Sequence, residues 1–388
     1  MVSANNYRSR NQNSNMPVTV VGAGPAGLAC AIVLARGGRH VIVREWRRTV
    51  GARFHSDLQG LENWSDHHDV LDELRRSGID ANFDCHPVYE GTGFDAWGQA
   101  YPFRGDQPLC YIVHRGCRTG SLDLGLLNQA TEAGVEVRFD DRATEFDGPT
   151  VLATGPRFAD AIAAGYVFET ENPDGNWIAF NDALAPLGYS YLLIHKGHGT
   201  VASCMFTEFK RQAEYVERTV AFFREQVGLE MRDPRPFGGF ASFRLPGTAV
   251  QGGRPVIGEQ AGFQDALAGF GIRYALRSGV LAARSLIDDV DYTRLWREEL
   301  LPLLRTGTSN RFILNMLGER RWRWVLRGLS RSDAGTKLRR LYQPSLLTRL
   351  LFPLACWRYH APRRATSYAL WPCSRRSSND RSRRCARS

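Results

Sequence analysis

The sequence predicts an α/β fold, on three observations. A β-branched run, Val18-Thr19-Val20-Val21, leads into a glycine-rich turn. Behind the turn, Leu28 to Ala35 is a run of small and apolar residues with helical character, closed by Gly37-Gly38. A second β-branched run, Val41-Ile42-Val43, then follows. Strand, helix and strand within about 30 residues make one parallel crossover. The expected architecture is a Rossmann-like three-layer domain carrying an antiparallel-sheet lobe and a helical C-terminal part.

Composition sets the outer limits. The chain has 388 residues, 43% hydrophobic and 23% charged, as in an ordinary soluble globular protein. That length buries a large core without disulfides or metal, which excludes wholesale disorder, a coiled coil and a collagen-like rod. The eight cysteines form no CxxC pair and have no partnering histidines at ligand spacing, so no metal is expected. The polar, Asn-rich lead shows no apolar signal-type core. No apolar run reaches the ~18 residues of a membrane-spanning helix. Reduced thiols and a cytoplasmic location are expected.

Charge is distributed unevenly. From Arg305 onward there are 20 Lys and Arg against 3 Asp and Glu, whereas the preceding residues hold 30 against 37. A mildly acidic body with a strongly basic end points to an anionic surface near the C-terminus.

The elements follow in order. Residues 1–16 are expected to be a disordered lead. Residues 17–165, joined by 250–290, form the nucleotide-binding domain, with helices over Asp66–Ser77 and Gly120–Ala133 and strands at Val135–Phe139 and Thr150–Ala153. Residues 166–249 form the antiparallel lobe, in which aromatic and β-branched runs alternate with turns such as Asn172-Pro173-Asp174-Gly175. Lys210–Val227 is an amphipathic helix. Val256-Ile257-Gly258 is a short strand feeding a helix over Ile272–Ile287. Residues 291–360 are helical, and 361–388 a basic disordered tail.

The most specific signal is G-x-G-x-x-G at Gly22, Gly24 and Gly27, with Pro25 and Ala26 between the last two. It follows a strand, opens a helix, and is trailed by Glu45 at the end of the next strand, near the expected offset of about 20 residues. Gly22 permits the tight turn. Gly24 lets a pyrophosphate approach the backbone, and Gly27 lets helix and strand pack closely. The helix N-terminus offers free N–H groups to the phosphates. Glu45 accepts hydrogen bonds from ribose hydroxyls and repels a 2′-phosphate, which disfavours NADP there. The fingerprint itself suits NAD or FAD, and its place at the start of the ordered chain favours FAD as the resident cofactor.

A second segment carries related chemistry. Val256 to Phe263 is a strand with an acid, Glu259, at its end beside Gly258. Gly269-Phe270-Gly271-Ile272 then opens a helix. Glu259 suits ribityl or ribose hydroxyls, and the N–H groups of Gly271 and Ile272 suit an anionic reduced flavin ring.

These two segments resemble the geranylgeranyl reductase family, within the flavoproteins built like para-hydroxybenzoate hydroxylase. The family's G-D-A-A-G and P-L-x-G-x-G-I-x-x-A-x-x-S-G patterns correspond to Gly258-Glu259-Gln260-Ala261-Gly262 and to Ala266 through Gly279. Its Y-x-W-x-F-P substrate motif is matched loosely by Tyr189, Tyr191 and Ile194. Its R-x-x-F-D pattern is matched by Arg115 with Leu122-Asp123, which places Arg115 beside the cofactor. The resemblance spans about residues 17–290. Glu259 replaces an aspartate, Tyr191 a tryptophan and Ile194 a proline. The hydroxylases' A-D-G motif is Ala153-Thr154-Gly155-Pro156 here, without its acid. The loop Val50–His55 lacks the cysteine found in some reductases.

The resemblance implies an FAD-dependent oxidoreductase that reduces, or desaturates, a carbon–carbon bond of an isoprenoid or other small hydrophobic, lipid-like substrate, with NAD(P)H or a ferredoxin as external donor. The sequence assigns no catalytic residue. Tyr189, Tyr191, His55 and His195 could hold the proton the reaction needs, and core packing or a surface bond is the commoner role for each. The aromatics Phe168, Trp177, Phe180, Tyr189 and Tyr191 suit a greasy tunnel or the inner face of a sheet. The alternatives are a flavin monooxygenase on a small hydrophobic compound, a non-redox FAD-dependent cyclase-like enzyme, and a non-catalytic membrane-associated protein.

Arg320 to Arg327 interleaves Arg and Trp, and Leu346 to Trp357 is apolar. Both suit peripheral contact with an anionic membrane, or a helical cap folded on the body. The Arg/Ser tail has no other nucleic-acid feature to support it, so nucleic acid is not an expected partner.

Overall fold

The structure, a computed structural model, describes residues 16–360 apart from Arg157. The lead expected over residues 1–16 (Met16 excepted) and the tail over 361–388 lie outside the described residues.

A four-stranded parallel sheet in the order β8-β2-β1-β9 forms the centre of the N-terminal part. It comprises β1 (Val18–Val21), β2 (Val41–Arg44), β8 (Glu136–Arg138) and β9 (Thr150–Leu152). Helix α1 (Pro25–Arg36) makes the crossover from β1 to β2, and Val18, Val20, Leu28, Ile32 and Leu34 are fully buried at its interface. Two-sided burial explains why β1 reads as an unbroken β-branched run. Leu152 extends the sheet by a parallel bridge to Val256, just after the hairpin of β15 (Val250–Gln251) and β16 (Arg254–Pro255). Helix α5 (Ile272–Ile287) lies against α1. A Cβ on Gly279 would come within 2.2 Å of the Ala26 carbonyl oxygen, so this contact requires glycine.

Two further helices differ at their ends from expectation. α2 spans Val70–Arg76 and α3 spans Leu122–Glu132. α2 starts four residues later than the apolar pattern suggests. Asp69 caps it by accepting from Leu71 N, while Asp66 accepts from His68 N and holds a turn ahead of it.

A small antiparallel sheet, β3-β7-β4, comes next, with β3 at Leu58–Glu62, β4 at Cys85–Val88 and β7 at Cys110–His114. The larger, seven-stranded sheet runs β14-β10-β13-β12-β11-β5-β6. Its strands are β5 (Glu90–Phe94), β6 (Ala100–Arg104), β10 (Ala161–Glu169), β11 (Gly175–Ala179), β12 (Tyr189–His195), β13 (His198–Met205) and β14 (Arg232–Ala241). Every pairing is antiparallel except β11 with β5.

This sheet corrects the expected division of the chain. β5 and β6, inside the span 17–165, pair with the lobe, and β10 starts before residue 166. The β11–β5 contact joins segments about eighty residues apart, Trp177 opposite Thr92, a pairing that local patterning does not encode. Helix α4 (Gln212–Val227) covers one face of the sheet, with Val220 and Phe223 packed among Phe94, Phe168, Leu192 and Ile194.

The C-terminal helices are α6 (Tyr292–Glu299), α7 (Leu301–Met316), α8 (Arg320–Ser330), α9 (Ala334–Tyr342) and α10 (Leu346–His360). α8 lies on the β5–β6 edge. Leu326 sits over Gly93, where a Cβ would meet it at 2.3 Å. Arg323 pairs with the fully buried Asp95 at 2.8 Å. The Arg/Trp helix is therefore folded onto the body.

Candidate cofactor and substrate site

The first glycine turn is shaped for a phosphate. Gly22 has φ +114°, and a Cβ there would strike the Ala153 carbonyl oxygen at 2.3 Å. Gly27 packs against the Gly22 carbonyl, where a Cβ would be 2.0 Å away. Gly24 is different: a Cβ built on it would meet no atom within 4 Å, and its backbone is extended. The space above Gly24 is open to a ligand. Pro25 opens α1, where its missing N–H removes no helical bond. A phosphate placed there faces the N–H groups and positive dipole end of α1.

Glu45 closes this end of the site. It is 8% exposed and accepts from Ala23 N at 2.8 Å and Arg47 N at 2.9 Å, one bond per carboxylate oxygen. Each oxygen keeps acceptor capacity for a ribose hydroxyl. The two backbone bonds also fix the turn to the end of β2, a role the spacing did not reveal.

The second cluster lies across the same cavity. Gly258 has φ +61° and donates its N–H to Ser278 Oγ at 2.9 Å. Glu259 is paired with Arg53 at 3.2 Å, a partner absent from the sequence reading. Gly271 stands at the N-terminus of α5 with no side-chain cap, so the first N–H groups, including that of Ile272, are left for a ligand. Arg115 lines the cavity but is fully buried in a bidentate pair with Asp123, both contacts 2.9 Å, and donates to Gln59 at 3.0 Å. Its ring-facing side stacks on Phe54 at 4.0 Å. The geometry makes Arg115 a brace for the cavity wall.

The loop between these clusters is held from outside. Asp265 accepts from Leu267 N, Ala268 N and the Tyr342 hydroxyl. Arg311, buried on α7, donates to the carbonyls of Ala266 and Leu267 at 3.1 Å each, and to Leu187 O. Gln264 donates to Gly269 O at 2.7 Å. None of these partners was found from sequence, because each bridges distant segments or lies in an unmotivated loop.

One cavity of about 2860 Å³ contains both clusters and continues over the seven-stranded sheet. Ordinary ligand pockets reach about 1,000 Å³, so this volume has room for a dinucleotide and a second molecule. Tyr189, Tyr191 and Leu193 face it from β12, and Ile178, opposite Tyr191, from β11. Phe180 stacks on Trp322 of α8 at 3.9 Å, and both rings line the wall. Burial pushes the Tyr189 and Tyr191 phenols well above their usual range and the Cys204 thiol up to about 12. All three stay protonated at neutral pH. Tyr189 donates to the Ala268 carbonyl, next to Gly269.

Four expected residues are placed elsewhere. Ile194 is buried on the opposite face with Phe94 and Leu192, because successive strand residues alternate sides. Phe168 lies in that same cluster, and Trp177, in register with Leu192, packs against it. His195 shares the face of Tyr191 but sits at the strand end, stacked on His86 at 4.2 Å and bonded to Asp174 at 2.8 Å. It does not reach the cavity, whereas His55 lines it.

Comparison with known proteins agrees with the fold. The family described as an NAD(P)-binding Rossmann-like domain matches residues 20–70. A menaquinone reductase of Mycolicibacterium smegmatis is 27% identical, over 73% of this chain and 80% of its own. A geranylgeranyl bacteriochlorophyll reductase-like structure from Thermoplasma acidophilum superimposes with TM-score 0.68 at 17% identity, covering 87% of this chain and 98% of its own. A flavin-dependent brominase superimposes with TM-score 0.62 at 16% identity, covering 89% and 99%. The last two likenesses concern the fold.

Proposed function

We propose that this chain, an FAD-dependent oxidoreductase built like the geranylgeranyl reductases, reduces a carbon–carbon double bond of an isoprenoid or other lipid-like substrate. The observation that supports this most is the single cavity joining the phosphate cradle to an apolar chamber.

When bound, FAD supplies the hydride chemistry. The protein's part is to bind, orient and exclude water. The α1 N-terminus and Gly24 would receive the pyrophosphate, Glu45 the adenosine ribose, and Glu259 with Arg53 the far side of the cofactor. Gly271 and Ile272 would present their N–H groups to the flavin ring. The chamber between Tyr189, Ile178, Phe180 and Trp322 would hold the alkene against that ring with few competing polar groups. The second carbon of the alkene needs a proton, and the Tyr189 hydroxyl beside Gly269 is the best placed of the four candidate donors. Oxidised cofactor must be reduced again, by NAD(P)H or a ferredoxin. Because Glu45 would repel a 2′-phosphate, an NADPH donor would bind transiently elsewhere.

The test is the visible spectrum of the purified protein, with identification of the released cofactor, followed by product analysis with a polyprenyl alkene. A flavin spectrum, released FAD and a product richer by two hydrogens support the reading. A colourless protein that takes up no FAD overturns it. An oxygenated product instead supports the monooxygenase alternative.

A further inference from the structure

We propose that the exposed apolar face of α10 docks on an anionic lipid bilayer, and that the substrate passes from that bilayer into the cavity beside it. The docking stands on its own observations, and the substrate route rests on the function proposed above.

Five large apolar side chains of α10 are open to solvent. Leu346 and Leu350 are 78% exposed, Trp357 72%, Leu347 57% and Leu354 49%. Turning 100° per residue, they share one face about 100° wide. The opposite face is anchored: Ala355 and Thr348 are buried, and the Thr348 carbonyl accepts from Ser309 Oγ of α7 at 2.8 Å. The stripe is therefore held outward by a fixed back. Aliphatic side chains with a tryptophan on one face match a helix lying in a membrane interface. Among the described residues no helix is long and apolar enough to cross a membrane, so this one would lie on it.

Charge selects the occupant. Residues 334–360 contain Lys337, Arg339, Arg340, Arg349 and Arg358 and no acid. A second copy of the chain would bring the same positive flank and be repelled. The following residues, 361–388, carry eight arginines and one aspartate, which complement this face no better. An anionic bilayer offers apolar depth and negative charge together.

The helix also packs on the one that lines the cavity. Leu314 and Asn315 of α7 line the cavity. The next two residues, Met316 and Leu317, are 71% and 54% exposed. Asn315 Nδ2 donates to Tyr359 Oη at 2.7 Å, which ties this end of α7 to the end of α10. The stripe of α10 thus stands one helix away from the cavity wall.

The experiment uses the full-length, FAD-loaded protein. It is co-sedimented with vesicles of phosphatidylcholine alone, and with vesicles containing about one-third phosphatidylglycerol. The expected result is binding to the anionic vesicles only, weakened by salt. Leu350→Glu and Trp357→Glu, both at exposed positions, should each weaken binding about tenfold or more. They should leave FAD content and reduction of a detergent-dispersed alkene unchanged, while reduction of the same alkene held in vesicles falls in parallel with binding. Absence of binding to anionic vesicles overturns the docking proposal, as does undiminished binding by both variants, which would place the contact in residues 361–388. A dimer that these substitutions dissociate would overturn it in favour of a second copy. If vesicles bind but the dispersed alkene is not reduced, the functional reading fails and the docking stands.

Discussion

The Tyr342 hydroxyl donates a 2.7 Å hydrogen bond to the buried carboxylate of Asp265. That bond links α9, in the C-terminal helical part, to the loop that carries Gly269, Phe270 and Gly271 into the cavity. Burial raises the Asp265 carboxyl, and the Tyr342 bond opposes that rise. The C-terminal helices therefore help set this wall of the cavity.

Tyr342→Phe keeps the ring and removes the bond. The carboxylate loses one of its three partners, a cost of about 1–3 kcal/mol. The expected outcome is a lower melting temperature, weaker FAD retention and a fall in kcat with little change in KM. Thermal unfolding with and without added FAD, plus steady-state kinetics, checks this.

Gly24→Val probes the cradle separately from the fold. The backbone there is extended and a Cβ meets nothing within 4 Å. The apoprotein should keep its stability to within about 0.5 kcal/mol, as an unobstructed substitution does. FAD affinity should fall about tenfold to a hundredfold, because the side chain fills the space meant for phosphate. Titration of apoprotein with FAD gives the answer, and a variant that binds as well as the parent removes Gly24 from the site.

Trp322→Ala enlarges the chamber by removing the ring stacked on Phe180. The ratio of kcat/KM for bulky over slim lipid alkenes should rise about tenfold, the scale set by apolar pocket contacts. Competition between two alkenes of different girth measures it directly.

The pH dependence of stability follows from depressed imidazoles, above all the buried His114. Burial lowers His114 from its usual range to about 4, and lowers His86 and His198 as well. The unfolded chain thus binds more protons between about pH 6.5 and 4, so stability falls as pH drops through that window. Urea midpoints at pH 7 and pH 5 should differ, and His114→Asn should shrink the difference.

What was legible in the sequence was local. The fingerprint at Gly22, Gly24 and Gly27 needs only one crossover to become a cradle, and the helix over Ile272–Ile287 appears with its expected limits. Ile194 illustrates what motif matching loses: strand alternation alone puts it on the face opposite Tyr189 and Tyr191. Nothing local tells that β5 joins β11, or that Tyr342 reaches Asp265 across 77 residues. The Arg/Trp run of α8 carried two readings, and burial of Arg321 and Leu326 with stacking of Trp322 on Phe180 shows it packed on the body. That distinction depends on which side of the helix meets another element, which periodicity cannot supply.

The most direct test of the central claim is an anaerobic single turnover. Holoenzyme is reduced, mixed with a polyprenyl alkene, and followed by the return of the oxidised flavin's visible absorbance. The account predicts reoxidation by the alkene, saturable in its concentration, with one saturated bond formed per flavin. A reduced flavin that ignores the alkene and reoxidises only when oxygen is admitted, releasing an oxygenated product, would contradict it.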